Sequence, residues 1–379
     1  MKKHSKKAAQ NQEYEGYWKL TVEYSDINGS KFKNTLNLII RYIDSHPELK
    51  NLDTDSNEFS AKYEELQDAV YSVYPKADKA STRKSINQMV KLGFVKPFLQ
   101  GYHPLTKKFL SAPNDERRTL VFSEIFYKSA NFQSAVTTDD SEVKPINFFL
   151  MTLMYHPEQR LNREEIIALM TTNIKDYTRG YLTIEELNSC VKYSKAIDFE
   201  DRKYNQINYL LKFLQYVPGI SVSPDKNCVF YTEDATIQLR GEVSLKRDPT
   251  LFRIMRENIK QESIEKYGKV VCYLTKQELK GLVVSHIVGS AEALRNMDIE
   301  TAYDYENALL LEPNSDAYFD KHDLTFAEEG TPVYGNDVSE DFIKGKQGMK
   351  LDDFILTEKR LGYLVEHRNK FNSKNNIPQ

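Results

Sequence analysis

Apolar residues recur at helical spacing through the first half of the chain. In KFKNTLNLIIRYID, residues 31–44, Phe32, Leu36, Ile39, Ile40 and Ile43 fall on one face and predict an amphipathic helix. A second helix is expected near 61–74, ending before the breaker Pro75. A third follows in ADKASTRKSINQMVKLGFVKP, with Ile86, Met89, Val90 and Leu92 as its stripe, Ser81 or Thr82 as its cap and Gly93 as its stop. After residue 143, PINFFLMTLMYHP, LNREEIIALM and YNQINYLLKFLQYVPGI read as three more helices, the last ended by Pro218 and Gly219. SVSPDKNCVFYT then reads as a hairpin turning at 224–227. The stretch GEVSLKRDPTLFRIMRENIKQESIEKYG is a helical connector into a last unit, where the apolar runs LVVSHI and NALLLEP flank an acidic loop and NSDAYFD opens a helix.

Three helices followed by a short extended run resemble a winged helix-turn-helix, and both halves of the N-terminal region show that order. The expectation is an α+β chain with winged-helix-like DNA-recognition domains at 1–135 and 136–245 and a C-terminal domain at 246–379. On the first, Arg83, Lys84, Asn87, Gln88 and Lys91 would face outward. On the second, Arg202, Lys203, Asn205, Gln206 and Asn208 would do so, while Ile207, Leu210, Leu211 and Leu214 point inward. Such polar side chains suit base edges and phosphates. Winged helices also serve as protein-docking modules, so the fold alone does not fix the role.

Composition narrows the class without naming it. The 379 residues are enough for two or three domains. A formal net charge of -3 gives no whole-chain argument for nucleic acid, so any basic surface must be local. Cys190, Cys228 and Cys272 form no close pair, which argues against a disulfide framework or a thiolate zinc site and fits a reducing cytoplasm. Cys272 is expected as a packed core thiol. The basic N-terminus lacks the apolar core of a signal peptide and no 18-residue apolar run occurs, so no membrane partner is expected.

Residues 272–322 carry the chemistry. The run LVVSHI, the acidic loop, the run NALLLEP and the helix opened by NSDAYFD follow one another as strand, loop, strand and helix, and the segment carries CYLT at Cys272, SHI at Ser285, NALLL at Asn307 and DAYFD at Asp316. In that order they resemble the HNH nucleases, whose catalytic core is a ββα-metal unit. HNH-class type II restriction endonucleases look similar in pairing such a C-terminal nuclease with an N-terminal specificity region.

The resemblance implies hydrolysis of DNA phosphodiester bonds with a divalent ion, Mg²⁺ or Mn²⁺. His286 is implied as general base, because imidazole can take a proton near neutral pH. Asn307 is implied to tie the loop to the second strand and orient His286. Asp316 and Asp320, one helical turn apart, are implied as oxygen ligands for a hard cation. Ser285 departs from the pattern, standing where many members carry an acidic or histidine ligand, so it would offer a weaker oxygen or act through a water. His322 is expected as a surface turn residue.

From Asn296 to Asp320 there are seven acids and no Lys or Arg, which repels phosphate. DNA affinity is therefore expected from a separate reading region. The resulting expectation is a type II restriction endonuclease acting on double-stranded DNA, with a homodimer as one route to double-strand cleavage. A homing or modification-dependent HNH endonuclease is the enzyme alternative. A winged-helix regulator with an inactive HNH remnant is the alternative from another class.

Overall fold

The computed structural model describes residues 18–75, 79–132, 144–231, 237–238, 248–296 and 298–376. The chain divides into two compact units, Met1–Tyr231 and Thr232–Gln379.

The first unit is mainly helical. Its first half holds α1 (Ser30–Ser45), α2 (Asn57–Val73), α3 (Lys79–Lys91), α4 (Thr106–Leu110) and α5 (Asp115–Ser129). The apolar stripe of α1 is buried as its spacing predicts, with Phe32, Leu36, Ile39, Ile40 and Ile43 at most 5% exposed. Gly93 stops α3 in the left-handed region at φ +89°, and a Cβ there would lie 2.7 Å from the Ser129 backbone carbon. Only glycine fits both demands.

The extended run expected after Gly93 is reduced to one bridge, Val95 to Tyr102. Pro97–Leu99 forms a 3-10 turn, and Phe98 and Leu99 both take φ 56°. Proline removes a ladder donor and fixes the turn, so no wing hairpin forms among the described residues of this half.

The second half runs α6 (Pro145–Tyr155), β1 (Arg160–Asn162), α7 (Arg163–Met170), α8 (Ile184–Ala196), α9 (Phe199–Leu214), β2 (Ile220–Val222) and β3 (Cys228–Tyr231). The strands form an antiparallel sheet in the order β1-β3-β2. The hairpin expected from SVSPDKNCVFYT is β2–β3, and Lys226 takes φ 60° in its turn. Helix α8 is an addition to the expected series, started by a capping box between Thr183 and Glu186. Ile207, Leu210, Leu211 and Leu214 of α9 are buried.

The expected boundary at 135/136 lies inside this unit, because apolar contacts cross it. Phe213 of α9 packs against Phe122 and Phe126 of α5, ring centroids 5.8 and 5.9 Å apart. Trp18 N–H donates to Met170 O at 2.8 Å, and its indole to Thr172 O at 3.2 Å.

The second unit comprises β4 (Ile237–Gln238), α10 (Pro249–Tyr267), β5 (Leu282–His286), α11 (Ser290–Arg295), α12 (Ile299–Tyr303), β6 (Ala308–Leu311) and α13 (Pro313–Asp320), then β7 (Leu324–Phe326), β8 (Pro332–Tyr334), α14 (Glu340–Gly345) and α15 (Glu358–Asn375). Its three-stranded sheet has the order β4-β5-β6. β5 and β6 are antiparallel, with Ser285 opposite Leu309 and His286 opposite Ala308. Both strands are covered on both faces, so each reads as a continuous apolar run. Met255 and Ile259 of α10, Phe319 of α13 and Leu364 of α15 share the core with Leu282, Val284 and Leu309.

Candidate active site

The strand, strand and helix expected from the motif are β5, β6 and α13. Pro313 opens α13, where its missing N–H costs nothing. The helix turns Asp316 toward β5, and Ser285 Oγ donates to Asp316 Oδ1 at 2.7 Å. Both are buried, at 3% and 8% exposure. Asp320, one turn on, is exposed.

Consecutive strand residues point to opposite faces. Ser285 meets α13, and His286 instead stacks on Phe252 of α10, ring centroids 6.0 Å apart and 21° from parallel. The imidazole and the carboxylate thus flank the end of β5 from two sides. Opposite His286 stands Ala308, whose small side chain leaves room for the ring.

Asn307 is fully buried and holds the chain just after His286. Its Oδ1 accepts from Val288 N at 2.8 Å, and its Nδ2 donates to Val288 O and Thr301 O, both at 2.9 Å. Its backbone carbonyl accepts from Ile287 N at 3.0 Å. One amide therefore closes the acidic loop at both ends. Cys272 is buried, its Sγ accepting from Glu312 N at 3.3 Å and Thr275 N at 3.5 Å.

Among the described residues no three His, Cys, Asp or Glu side chains stand together as a metal cage. The donor set still fits a hard divalent cation. Such an ion keeps several waters and takes one or two carboxylates, the rest of its shell coming from substrate phosphate. Asp316, with the Ser285 hydroxyl beside it, offers that kind of partial shell.

Acidity around the site is partly neutralised within the unit. Lys359 pairs with Asp304 at 2.6 Å and Lys346 with Glu312. Lys370 pairs with Glu292 at 2.5 Å and Lys374 with Asp323 at 2.6 Å. Two acids of 296–320 thus take their cations from elsewhere in the unit, Asp304 from α15 and Glu312 from Lys346, a contribution the local sequence does not reveal.

His322, expected on the surface, is half-buried and stacks on His367 at 4.6 Å. Burial pushes the His322 pKa down. Burial, then the neighbouring His322, lowers that of His367 to about 3. His367 Nε2 faces Phe319 O at 3.0 Å and so carries the proton, leaving Nδ1 to accept from the Thr325 hydroxyl at 2.9 Å.

The residues expected to read DNA divide into two groups. Arg83, Lys84 and Asn205 are exposed, and Asn87, Lys203 and Asn208 are half-buried. Asn87 accepts from the Tyr63 hydroxyl at 3.3 Å. The side chain of Arg202 lies outside the described residues.

Gln88, Lys91 and Gln206 do not face outward. They are at most 8% exposed. Gln88 Oε1 accepts from Glu23 N at 2.8 Å and Tyr24 N at 2.9 Å, and its amide donates to Tyr24 O at 2.5 Å. Gln206 Oε1 accepts from Leu20 N at 2.9 Å, and Lys91 Nζ donates to Thr21 Oγ1 at 2.5 Å. Burial, reinforced by Lys19, lowers the Lys91 pKa to about 8. Residues 18–24 form no strand, so the backbone groups of Leu20, Glu23 and Tyr24 take Gln206 and Gln88 as partners.

One contributor escapes a reading of the sequence alone. Phe252 lies well upstream of the motif in a segment that reads as a connector.

A strand ending in histidine, an asparagine-locked loop, a second strand and a helix presenting a carboxylate define the ββα-metal class. Residues 272–327 match the family described as HNH endonuclease, so this segment is an HNH endonuclease domain. No curated protein matches the chain. No described helix is long and apolar enough to cross a membrane.

Proposed function

We propose that this protein is a divalent-metal-dependent DNA endonuclease of the type II restriction kind, cutting at or near a short duplex sequence. The observation that carries the reading is the joint arrangement at the end of β5. There His286 directly follows Ser285 in β5, Ser285 is bonded to Asp316 on the α13 side, and Asn307 locks the following chain.

His286 removes the proton from the attacking water. The new P–O bond forms as the P–O bond to the leaving sugar oxygen breaks, that oxygen takes a proton from solvent water, and His286 returns its own to solvent. Asn307 keeps residues 287–288 fixed, so the imidazole is presented rather than free to swing. Asp316, backed by Ser285, holds Mg²⁺ or Mn²⁺, with Asp320 within one helical turn. When bound, the ion supplies charge stabilisation at the scissile phosphate and the leaving oxygen.

Reading is assigned to the first unit, which supplies the cations and amides for duplex contact. The order of α6, β1, α7, α9 and the β2–β3 hairpin supports a winged-helix-like reader in 144–231. Asn205 and Lys203 are its contact residues, with Arg83 and Lys84 on α3 as phosphate contacts. Two protomers, one cut each, account for double-strand cleavage. The test is digestion of plasmid DNA of known sequence with Mg²⁺ or Mn²⁺ and mapping of the ends. Discrete, metal-dependent ends at a recurring sequence support the reading, and intact plasmid under all these conditions overturns it.

A further inference from the structure

β6 is an edge of its sheet, so its outward carbonyls meet no strand among the described residues. Ile287 N donates to Asn307 O, which makes the facing residues His286 and Ala308 a non-hydrogen-bonded pair. Ala308 O therefore points away from β5. Arg360 Nε donates to it at 3.1 Å, and Tyr273 N–H donates to the next outward carbonyl, Leu310 O, at 2.7 Å.

Both residues also meet on Glu262 of α10. Arg360 forks onto its two oxygens at 3.2 and 2.9 Å, and the Tyr273 hydroxyl donates at 2.7 Å. Arg360 and Tyr273 are fully buried and Glu262 is 6% exposed. Burial works against the Arg360 charge, but Glu262 more than offsets it and the pKa is raised.

The first turns of α15 grip the preceding segment as well. Arg360 Nη2 reaches Tyr305 O at 3.4 Å, and the Thr357 hydroxyl donates to Glu306 at 2.7 Å. The Tyr363 hydroxyl donates to Asp304 at 2.9 Å.

We infer that Arg360, seated on Glu262, is a positioning residue for the site: it fixes 304–308, the segment from which Asn307 clamps the chain after His286. The inference rests on the endonuclease reading above. It extends the working unit beyond the matched 272–327 into α10 and α15. Arginine is required because one planar group serves a carboxylate and several carbonyls together, which a lysine cannot do.

The test compares full-length wild type with Arg360→Lys, which keeps a cation for Glu262 but loses the fork, and with the apolar pair Glu262→Leu/Arg360→Met. Apolar replacement of a buried ion pair often leaves stability intact. Single-turnover cleavage, duplex affinity, the pH–rate profile and melting are measured. The expected result is folded variants that bind DNA as wild type does, with cleavage slowed about tenfold or more and the pH–rate profile displaced. A folded Arg360→Lys with wild-type rate and profile overturns the inference. If Arg360→Lys does not fold, a wild-type rate and profile in the apolar pair overturn it instead. No cleavage by the wild type overturns the endonuclease reading, and this inference with it.

Discussion

Ser285 and Asp316, 31 residues apart in sequence, share a buried hydrogen bond of 2.7 Å. The hydroxyl stands where a second charged ligand is expected from the family pattern. The carboxylate therefore has a neutral donor beside it instead of a like charge, and the site can be preformed before any cation arrives.

Ser285→Asp places two carboxylates in one buried site. The metal-free protein should melt lower, because like charges in low dielectric repel. Mg²⁺ or Mn²⁺ should restore more melting temperature to this variant than to wild type, since an ion that binds only the folded state stabilises it. A metal response equal to wild type would place the cation elsewhere. Asp316→Ala should abolish cutting, while Asp316→Asn keeps an amide oxygen and part of the rate.

Asn307→Ala removes three side-chain hydrogen bonds, two of them buried. Stability should fall by roughly 2–4 kcal/mol, since each buried bond broken also strands its partner. Cleavage should be lost in molecules that remain folded. Denaturant melts read beside single-turnover rates check both, and normal rates would remove the clamp from the mechanism.

Gln88→Ala and Arg83→Ala should separate stability from DNA affinity. The first leaves Glu23 N and Tyr24 N without their acceptor and should cost roughly 1–3 kcal/mol. The second, at an exposed site, should weaken binding to all duplexes and reduce its salt dependence while stability holds. Titrations at two salt concentrations, with melts of the same proteins, decide the assignment. Loss of duplex affinity in a fully stable Gln88→Ala would restore it as a reader.

His367 predicts an acid-sensitive nuclease unit. Its folded pKa, lowered to about 3 by burial, lies below its unfolded value, so the folded state favours the neutral ring. The stabilisation is complete above about pH 6.5 and is lost as pH falls toward 3, by an amount on the order of a few kcal/mol. His367→Gln should flatten that part of the stability curve in equilibrium melts. An unchanged slope would mean the ring titrates normally.

Periodicity made α1 and α9 legible, since their buried faces coincide with the apolar stripes. The ββα order was legible because four short elements recur in a fixed sequence around His286 and Asp316. Gln88, Lys91 and Gln206 misled for a physical reason. Each lies on a polar helix face, and only the folded chain brings residues 18–24 across it to use their hydrogen bonds. Phe252 and Arg360 were illegible because long-range packing, not local pattern, brings them to β5 and β6.

Whether His286 is the general base is decided by single-turnover cleavage of duplex DNA by His286→Ala, with Mg²⁺ saturating and duplex affinity measured alongside. The rate should fall by roughly 10²–10⁴-fold with affinity unchanged, because general-base loss acts on the chemical step alone. Cleavage by His286→Ala at the wild-type rate would contradict that role.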